Sequence, residues 1–206
     1  MTPTWLIVPV KPFAEGKSRL TTKLSPAQRA RLSQQLLTHV IKTAATSALF
    51  VHTLVVSRDP TAAEISDHFD VELLAEEGRD LNNALEQARA RAVAHGAEAI
   101  LVLPSDLPRL TVDDLEQLMA AADAGAVLAP SRDRGTNALL LRPPGIIDFA
   151  FGPSSFDRHQ HLARQAGVTP GVIATPSLAF DLDSPDDLAE LVGDGVTSYV
   201  GLTTTS

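Results

Sequence analysis

The chain has 206 residues, 44% of them hydrophobic and 20% charged, with no cysteine and a formal net charge of -8. The length fits a single α/β domain whose core needs no staples, and the missing cysteines exclude disulfide scaffolds, thiolate zinc sites, iron–sulfur clusters and a cysteine nucleophile. The acidic total, with only seven Phe, one Trp and one Tyr, argues against nucleic acid and anionic membrane as partners.

In chain order, Trp5-Leu6-Ile7-Val8 reads as a strand running into a loop at Pro9 and Pro12. Ser25-Pro26-Ala27-Gln28 opens a helix through a capping box with proline at the first helical position. Leu32, Leu36, Val40, Ile41 and Ala44 follow at helical spacing. Residues 53–56 form a second strand and 61–69 a short helix. Asp80 caps a helix with the stripe Leu81, Leu85, Ala88 and Ala92. Residues 99–103 are the clearest strand, ending in Pro104-Ser105-Asp106-Leu107-Pro108. Thr111 opens the next helix. Residues 126–129 and 137–141 read as two successive strands about a polar turn, Ser131 to Thr136. Ser154 or Ser155 can cap a helix running towards Gly167, 172–174 and 178–180 read as short strands, and Ser184-Pro185-Asp186-Asp187 starts a last helix. Alternating strands and helices predict α/β with a mostly parallel sheet, ligands lying at the carboxyl ends of its strands. The successive strands near 126–141 predict a mixed part. We expect one domain over residues 1–206, with 193–206 a loosely ordered tail. No stretch reads as a signal peptide or membrane span, so a cytoplasmic location is expected.

Charge is unevenly placed. Residues 1–42 hold seven basic side chains against Glu15 alone, a net +6, and the remainder carries -14. A solvated helix face accounts for Arg29, Arg31 and Lys42. It accounts less well for Lys11, Lys17 and Arg19, which follow an apolar strand and could hold a triphosphate, against the alternative of ordinary surface cations. Gly16-Lys17-Ser18 looks like the end of a P-loop, but the glycine that should stand five residues earlier is Lys11, and Pro12 removes a backbone donor. Asp106, fixed between prolines at a strand end, suits a hard cation that takes one or two carboxylates and completes its shell with phosphate oxygens. Asp181 and Asp183 alternate on an extended segment and point the same way. They read equally as metal ligands or as helpers of the Ser184 cap. His159 and His161, two apart, do not share a helix face and so make no metal site. Arg134, in the polar turn, is a further candidate anion contact.

Taken in order, VPVKPFAEGKSRL, LPSDLP, DRGTNALLL, FGPSSFDRH and DLDSPDDL resemble the CofC-like guanylyltransferases over about residues 5–192. Those enzymes act on 2-phospho-L-lactate or phosphoenolpyruvate in making a deazaflavin coenzyme. The resemblance implies a Rossmann-like nucleotidyltransferase fold, an α/β sheet with helices on both faces and a small β elaboration. It implies GTP as donor, attack by the acceptor's phosphate on the α-phosphorus, and magnesium. It places Lys17 and Arg19 on the triphosphate, with Lys11 and Ser105 beside the nucleotide, and Gly78, Asn82 and Asn83 near guanine and ribose. Asp106 and Asp183, with Asp181 as a further partner, would hold magnesium. Thr136, Gly152 and Ser155 would bind the phosphorylated three-carbon acid. Because basic residues here are mostly Arg in an Ala-rich chain, a composition closer to a high-GC bacterium, phosphoenolpyruvate is the favoured acceptor. A molybdenum-cofactor or sugar-phosphate nucleotidyltransferase, or a non-catalytic nucleotide-binding domain, are the alternatives.

Overall fold

The structure, a computed structural model, describes residues 2–77 and 80–194. Residues 195–206 of the expected tail, and Gly78, lie outside the described residues. Among the described residues, seven strands form one sheet: β1 (Thr4–Pro9), β2 (His52–Ser57), β3 (Glu72–Ala75), β4 (Ala99–Val102), β5 (Ala126–Pro130), β6 (Thr136–Leu141) and β7 (Gly171–Val172). Their spatial order is β3-β2-β1-β4-β6-β5-β7. All neighbours pair in parallel except β6, which runs antiparallel to both β4 and β5. Among the described residues, six α-helices accompany the sheet: α1 (Pro26–Ser47), α2 (Pro60–His68), α3 (Leu81–Ala94), α4 (Val112–Ala120), α5 (Ser155–Gln165) and α6 (Pro185–Gly193). None of the described helices is long and apolar enough to cross a membrane.

Strand alternation divides the core between the two faces. Leu6, Val8, Val55 and Leu101 pack with Leu37, Val40 and Ile41 of α1 and with Leu115 and Leu118 of α4. Trp5, Ile7, Leu54 and Ile100 face the other way, onto Leu85, Ala88 and Ala92 of α3 and Ala163 of α5. A third cluster joins Leu20, Leu24, Leu32 and Leu36 to Phe180, Leu182, Leu188 and Leu191. It seats the last helix against the start of α1, and so brings the segment 180–184 beside the carboxyl end of β1.

The helix starts follow the sequence closely. Ser25–Gln28, Thr111–Asp114 and Ser184–Asp187 all form complete capping boxes. Three readings change. β3 was not expected: its residues are half-exposed, and its Glu72 side chain bonds His52 and Arg91 at the sheet edge. The strand expected at 178–180 is a turn, because Thr175 and Ser177 hydroxyls donate to the buried Asp114 carboxylate and curl the chain back. The strand expected at 172–174 is only Gly171–Val172. Within the expected tail, Gly193 still belongs to α6 and Asp194 pairs with Arg109.

Candidate active site

β1, β2 and β4 all end at one edge, where a cavity of about 370 Å³ opens. The loop after β1 supplies Lys11, Gly16 and Lys17, the loop after β4 supplies Ser105 and Asp106, and Asp183 closes one side. Opposite lie Glu76, just past β3, and Asp80, Leu81 and Ala84 at the start of α3.

The β1 loop is held from several directions. Phe13 N–H donates to the Asp59 carboxylate at 2.7 Å, and Val10 N–H to Val56 C=O. The amides of Glu15 and Gly16 both turn back to Pro12 C=O, so they form no phosphate nest. The GKS segment is therefore not a P-loop. Arg29 was read as part of a solvated face. It is only 9% exposed, and its guanidinium donates to Gly16 C=O at 2.9 Å. That contact fixes the residue before Lys17.

Lys17 adopts a left-handed backbone, φ 54° and ψ 38°, a conformation that a non-glycine residue holds only when its surroundings impose it. Its side chain, 6% exposed, inserts between two carboxylates, with Nζ 2.7 Å from Asp106 Oδ2 and 3.1 Å from Asp183 Oδ1. Burial alone would lower the lysine pKa, but the charges of Asp106 and Asp183 outweigh it and hold the ammonium above its usual value.

Asp181 lies next to this group. Burial first, and the charge of Asp106 second, push its carboxyl up to about 6, against the opposing hydrogen bond from Asn137. Asn137 Nδ2 donates to Asp181 Oδ1 at 3.2 Å and to Leu178 C=O at 2.9 Å. The carboxylate segment is braced elsewhere too. Leu182 N–H donates to Asp106 C=O. The guanidinium groups of Arg109 and Arg132 lie 3.8 and 4.7 Å from the centroid of the buried Phe180 ring, and both pair with Glu190 of α6. Asp187, not Asp183, completes the Ser184 cap, which leaves the Asp183 carboxylate to Lys17.

Among the described residues, no three His, Cys, Asp or Glu side chains converge into a ready cage for a metal. The donor chemistry nonetheless fits a hard cation. Asp106 and Asp183 share one ammonium, and after burial their charges help raise the pKa of the neighbouring Asp181. Such a set suits an ion that arrives with phosphate oxygens as part of its shell.

The other expected residues are spread wider. Arg19 is exposed on the short 3-10 turn Ser18–Leu20, off the cavity lining. There its charge helps the Ser131 hydroxyl hold Asp133 below the usual carboxylate range. Asn82 turns away from the cavity: its side chain exchanges two hydrogen bonds with the Phe151 backbone, at 3.2 and 2.8 Å. Asn83 bonds Asp80, the cap of α3. Leu81, Ala84 and Glu76 line the cavity where those asparagines were expected. Recognising β3 would have pointed to Glu76, because ligands lie beyond strand ends.

Thr136, Gly152 and Ser155 form a second group, outside the lining of the main cavity. Thr136 opens β6 and directly precedes Asn137, so this group adjoins Asp181. Thr136 Oγ1 lies 2.9 Å from Ser155 Oγ. Ser154 is the N-cap of α5, but it is left-handed and makes no side-chain capping bond, so the expected serine cap is absent; the first two helical amides, of Ser155 and Phe156, donate instead to Gly152 C=O and Arg134 C=O. Arg134, expected as an anion contact, forks onto Asp157 instead. Arg158 was overlooked. Its Nη2 would lie 3.2 Å from a Cβ placed on Gly152, whose φ is 126°, and it has no carboxylate partner among the described residues.

The sequence profile of the family described as guanylyl transferase CofC like matches residues 4–201. A phosphoenolpyruvate guanylyltransferase from Rubrobacter xylanophilus is 45% identical over 196 residues, covering 94% of this chain and 95% of that one. A 2-phospho-L-lactate guanylyltransferase from Methanothermobacter thermautotrophicus is 36% identical over 194 residues, covering 92% and 84%. In fold alone, the crystal structure of a 4-diphosphocytidyl-2C-methyl-D-erythritol synthase is similar, with a TM-score of 0.67 at 16% identity over 93% of this chain and 97% of that one. A carboxylate-clamped lysine beside a cavity at the strand ends of a nucleotidyltransferase-like sheet, together with these matches, shows that the chain belongs to the CofC-like guanylyl transferase family.

Proposed function

We propose that this protein transfers GMP from GTP to the phosphate of phosphoenolpyruvate, releasing pyrophosphate, in the synthesis of coenzyme F420. The observation that carries the reading is Lys17 held between Asp106 and Asp183 at the mouth of the cavity. Phosphoenolpyruvate is favoured over 2-phospho-L-lactate because relatives at 40–45% identity carry the former name and the latter appears at 36%.

In the transfer, an oxygen of the acceptor's phosphate forms a bond to the α-phosphorus, and the bond from that phosphorus to the bridging oxygen of the β-phosphate breaks. A phosphate monoester is largely dianionic near neutral pH, so no side chain needs to remove a proton. The protein's task is to bring two polyanions together and to stabilise the leaving pyrophosphate. Lys17 and Lys11 bear on the triphosphate as point charges, whereas Arg19, exposed off the lining, is left to its part in holding Asp133. Asp106 and Asp183, with Asp181, would hold magnesium, which when bound neutralises phosphate charge. Ser105, Leu81 and Ala84 line the space left for the nucleoside. The Ser155 hydroxyl, with Thr136 behind it, and Arg158 over Gly152 together form the anion site for the acid.

Purified protein incubated with GTP, magnesium and each acid should release pyrophosphate and form a mixed diphosphate visible by phosphorus NMR, fastest with phosphoenolpyruvate. No release with any phosphorylated three-carbon acid, or release with CTP in place of GTP, would refute the assignment.

A further inference from the structure

His159 is fully buried on α5, and both ring nitrogens are engaged. Nε2 lies 3.0 Å from Ala150 N, and Nδ1 lies 3.0 Å from Thr136 Oγ1. A backbone N–H can only donate, so Nε2 must be the acceptor and carry no proton. A neutral imidazole then carries its proton on Nδ1 and donates it to Thr136. Burial, with the Arg158 charge second, pushes the His159 pKa down to about 4, so the ring is neutral at physiological pH. Thr136 Oγ1 thus receives a hydrogen bond from the histidine. Its own proton goes to Ser155 Oγ, 2.9 Å away, since no other acceptor for it is present among the described residues. Ser155 in turn has an occupied acceptor position and a hydroxyl proton with no acceptor among the described residues.

We propose that His159 is a positioning residue that sets the direction of a hydrogen-bond chain from Ala150 through Thr136 to Ser155, so that Ser155 offers its proton to an anionic oxygen of the acceptor acid. This rests on the placement of the acid at Thr136, Gly152 and Ser155. Without the histidine donor, the Thr136 and Ser155 hydroxyls can each point either way, and the site loses its bias towards an anion. The same ring also anchors the 149–152 loop, through Ala150 and through an edge-on contact with Phe151, 4.8 Å between centroids. A purely structural role would therefore reside in Nε2, and the directing role resides in Nδ1.

Two substitutions separate these roles. His159→Asn places an amide N–H near the Nδ1 position and leaves the Ala150 amide unmatched. His159→Gln places a carbonyl near the Nε2 position and removes the donor to Thr136. The proposal expects the Gln variant to raise the KM for the acid about tenfold or more, the loss expected for one hydrogen bond to a charged group. The KM for GTP should stay within about twofold, and the Asn variant should largely restore acid affinity. Thr136→Val breaks the chain from its middle and should give the same selective rise, with the Val–Gln double variant no worse than either alone. It serves as the second probe if the Gln variant fails to fold. A Gln variant with wild-type acid KM, or equal losses in the Asn and Gln variants, overturns the proposal. Ser155→Ala distinguishes the two failures. If it raises the acid KM while the Gln and Val variants do not, the relay alone is wrong. If it leaves acid KM unchanged, the placement of the acid falls, and the relay with it.

Discussion

The ammonium of Lys17 donates to the Asp106 carboxylate at 2.7 Å, in a position where only 6% of the lysine side chain is exposed. It also touches Asp183, so it occupies the centre of a carboxylate set that suits a divalent cation. The ammonium and the metal therefore compete for the same negative charge in the nucleotide-free protein. Lys17→Met should bind Mn²⁺ more tightly without nucleotide, seen as a larger metal-induced rise in melting temperature than in the wild type. Turnover should nonetheless fall by about 10²-fold or more, as when a preorganised charge is removed from a transition state. Equal metal-induced shifts in the two proteins would show that lysine and cation do not share the site.

Asp106→Asn keeps the shape of the side chain and an oxygen that can still accept from Lys17, while removing one charge. The fold should persist by circular dichroism, because Leu182 N–H bonds the Asp106 backbone and not its side chain. Magnesium-dependent pyrophosphate release should drop by about 10²-fold or more. Near-normal turnover at saturating magnesium would take Asp106 out of the metal set.

His159 makes a prediction about pH. Its pKa of about 4 in the folded protein lies below the ordinary histidine value of 6.5. Between those two values the unfolded chain binds a proton that the native state refuses, so unfolding free energy rises with pH through this window. The contribution is complete above about pH 6.5 and is lost as pH falls towards 4, on the order of 3 kcal/mol in total. Asp181, raised to about 6, acts in the opposite direction between its two values. The comparison that isolates the histidine is therefore urea unfolding of the wild type and His159→Asn at pH 7.5 and 4.5. The wild type should lose more stability on acidification than the variant; parallel losses would mean that the ring is not held neutral.

The sheet and helix starts were legible because their signals are local: β-rich apolar runs for β1, β2 and β4, and capping boxes at Ser25, Thr111 and Ser184. β3 was not, since an edge strand with half-exposed residues carries little apolar pattern. Lys17, Asp106 and Asp183 could be chosen from strand ends and charge, but their mutual contact is tertiary. Asn82 shows the limit most clearly. An asparagine at a helix start reads the same whether it faces a ligand or, as here, the Phe151 backbone. Histidines considered only as metal ligands conceal His159, whose role depends on partners 9 and 23 positions away.

Phe180 links the stability of the chain to the site. Its buried ring is flanked by Arg109 and Arg132, which share Glu190 of α6, and it directly precedes Asp181. Phe180→Leu removes two cation–π contacts and part of the packing of the third core cluster, at a cost of about 1–3 kcal/mol. Turnover measured well below the melting temperature should also fall, because the Asp181–Asp183 segment loses a brace. A variant that is less stable but has unchanged kcat would confine Phe180 to a packing role.

Arg134 and Arg158 give the last test, since they flank the same helix start with opposite fates. Arg134 is exposed and forks onto Asp157, a pair whose charges satisfy each other. Its removal should cost little stability, as solvent screens an exposed ion pair, and should leave the acid KM nearly unchanged. Arg158 has no carboxylate partner among the described residues and lies over Gly152 near the start of α5. Arg158→Ala should raise the KM for the acid about tenfold or more while leaving that for GTP alone. Its removal also takes away a positive charge that depresses the His159 pKa, so the histidine should titrate at a higher pH in this variant, readable by NMR. Similar kinetic effects from the two arginine variants would mean that neither guanidinium is singled out by its surroundings, and that the acid binds without Arg158.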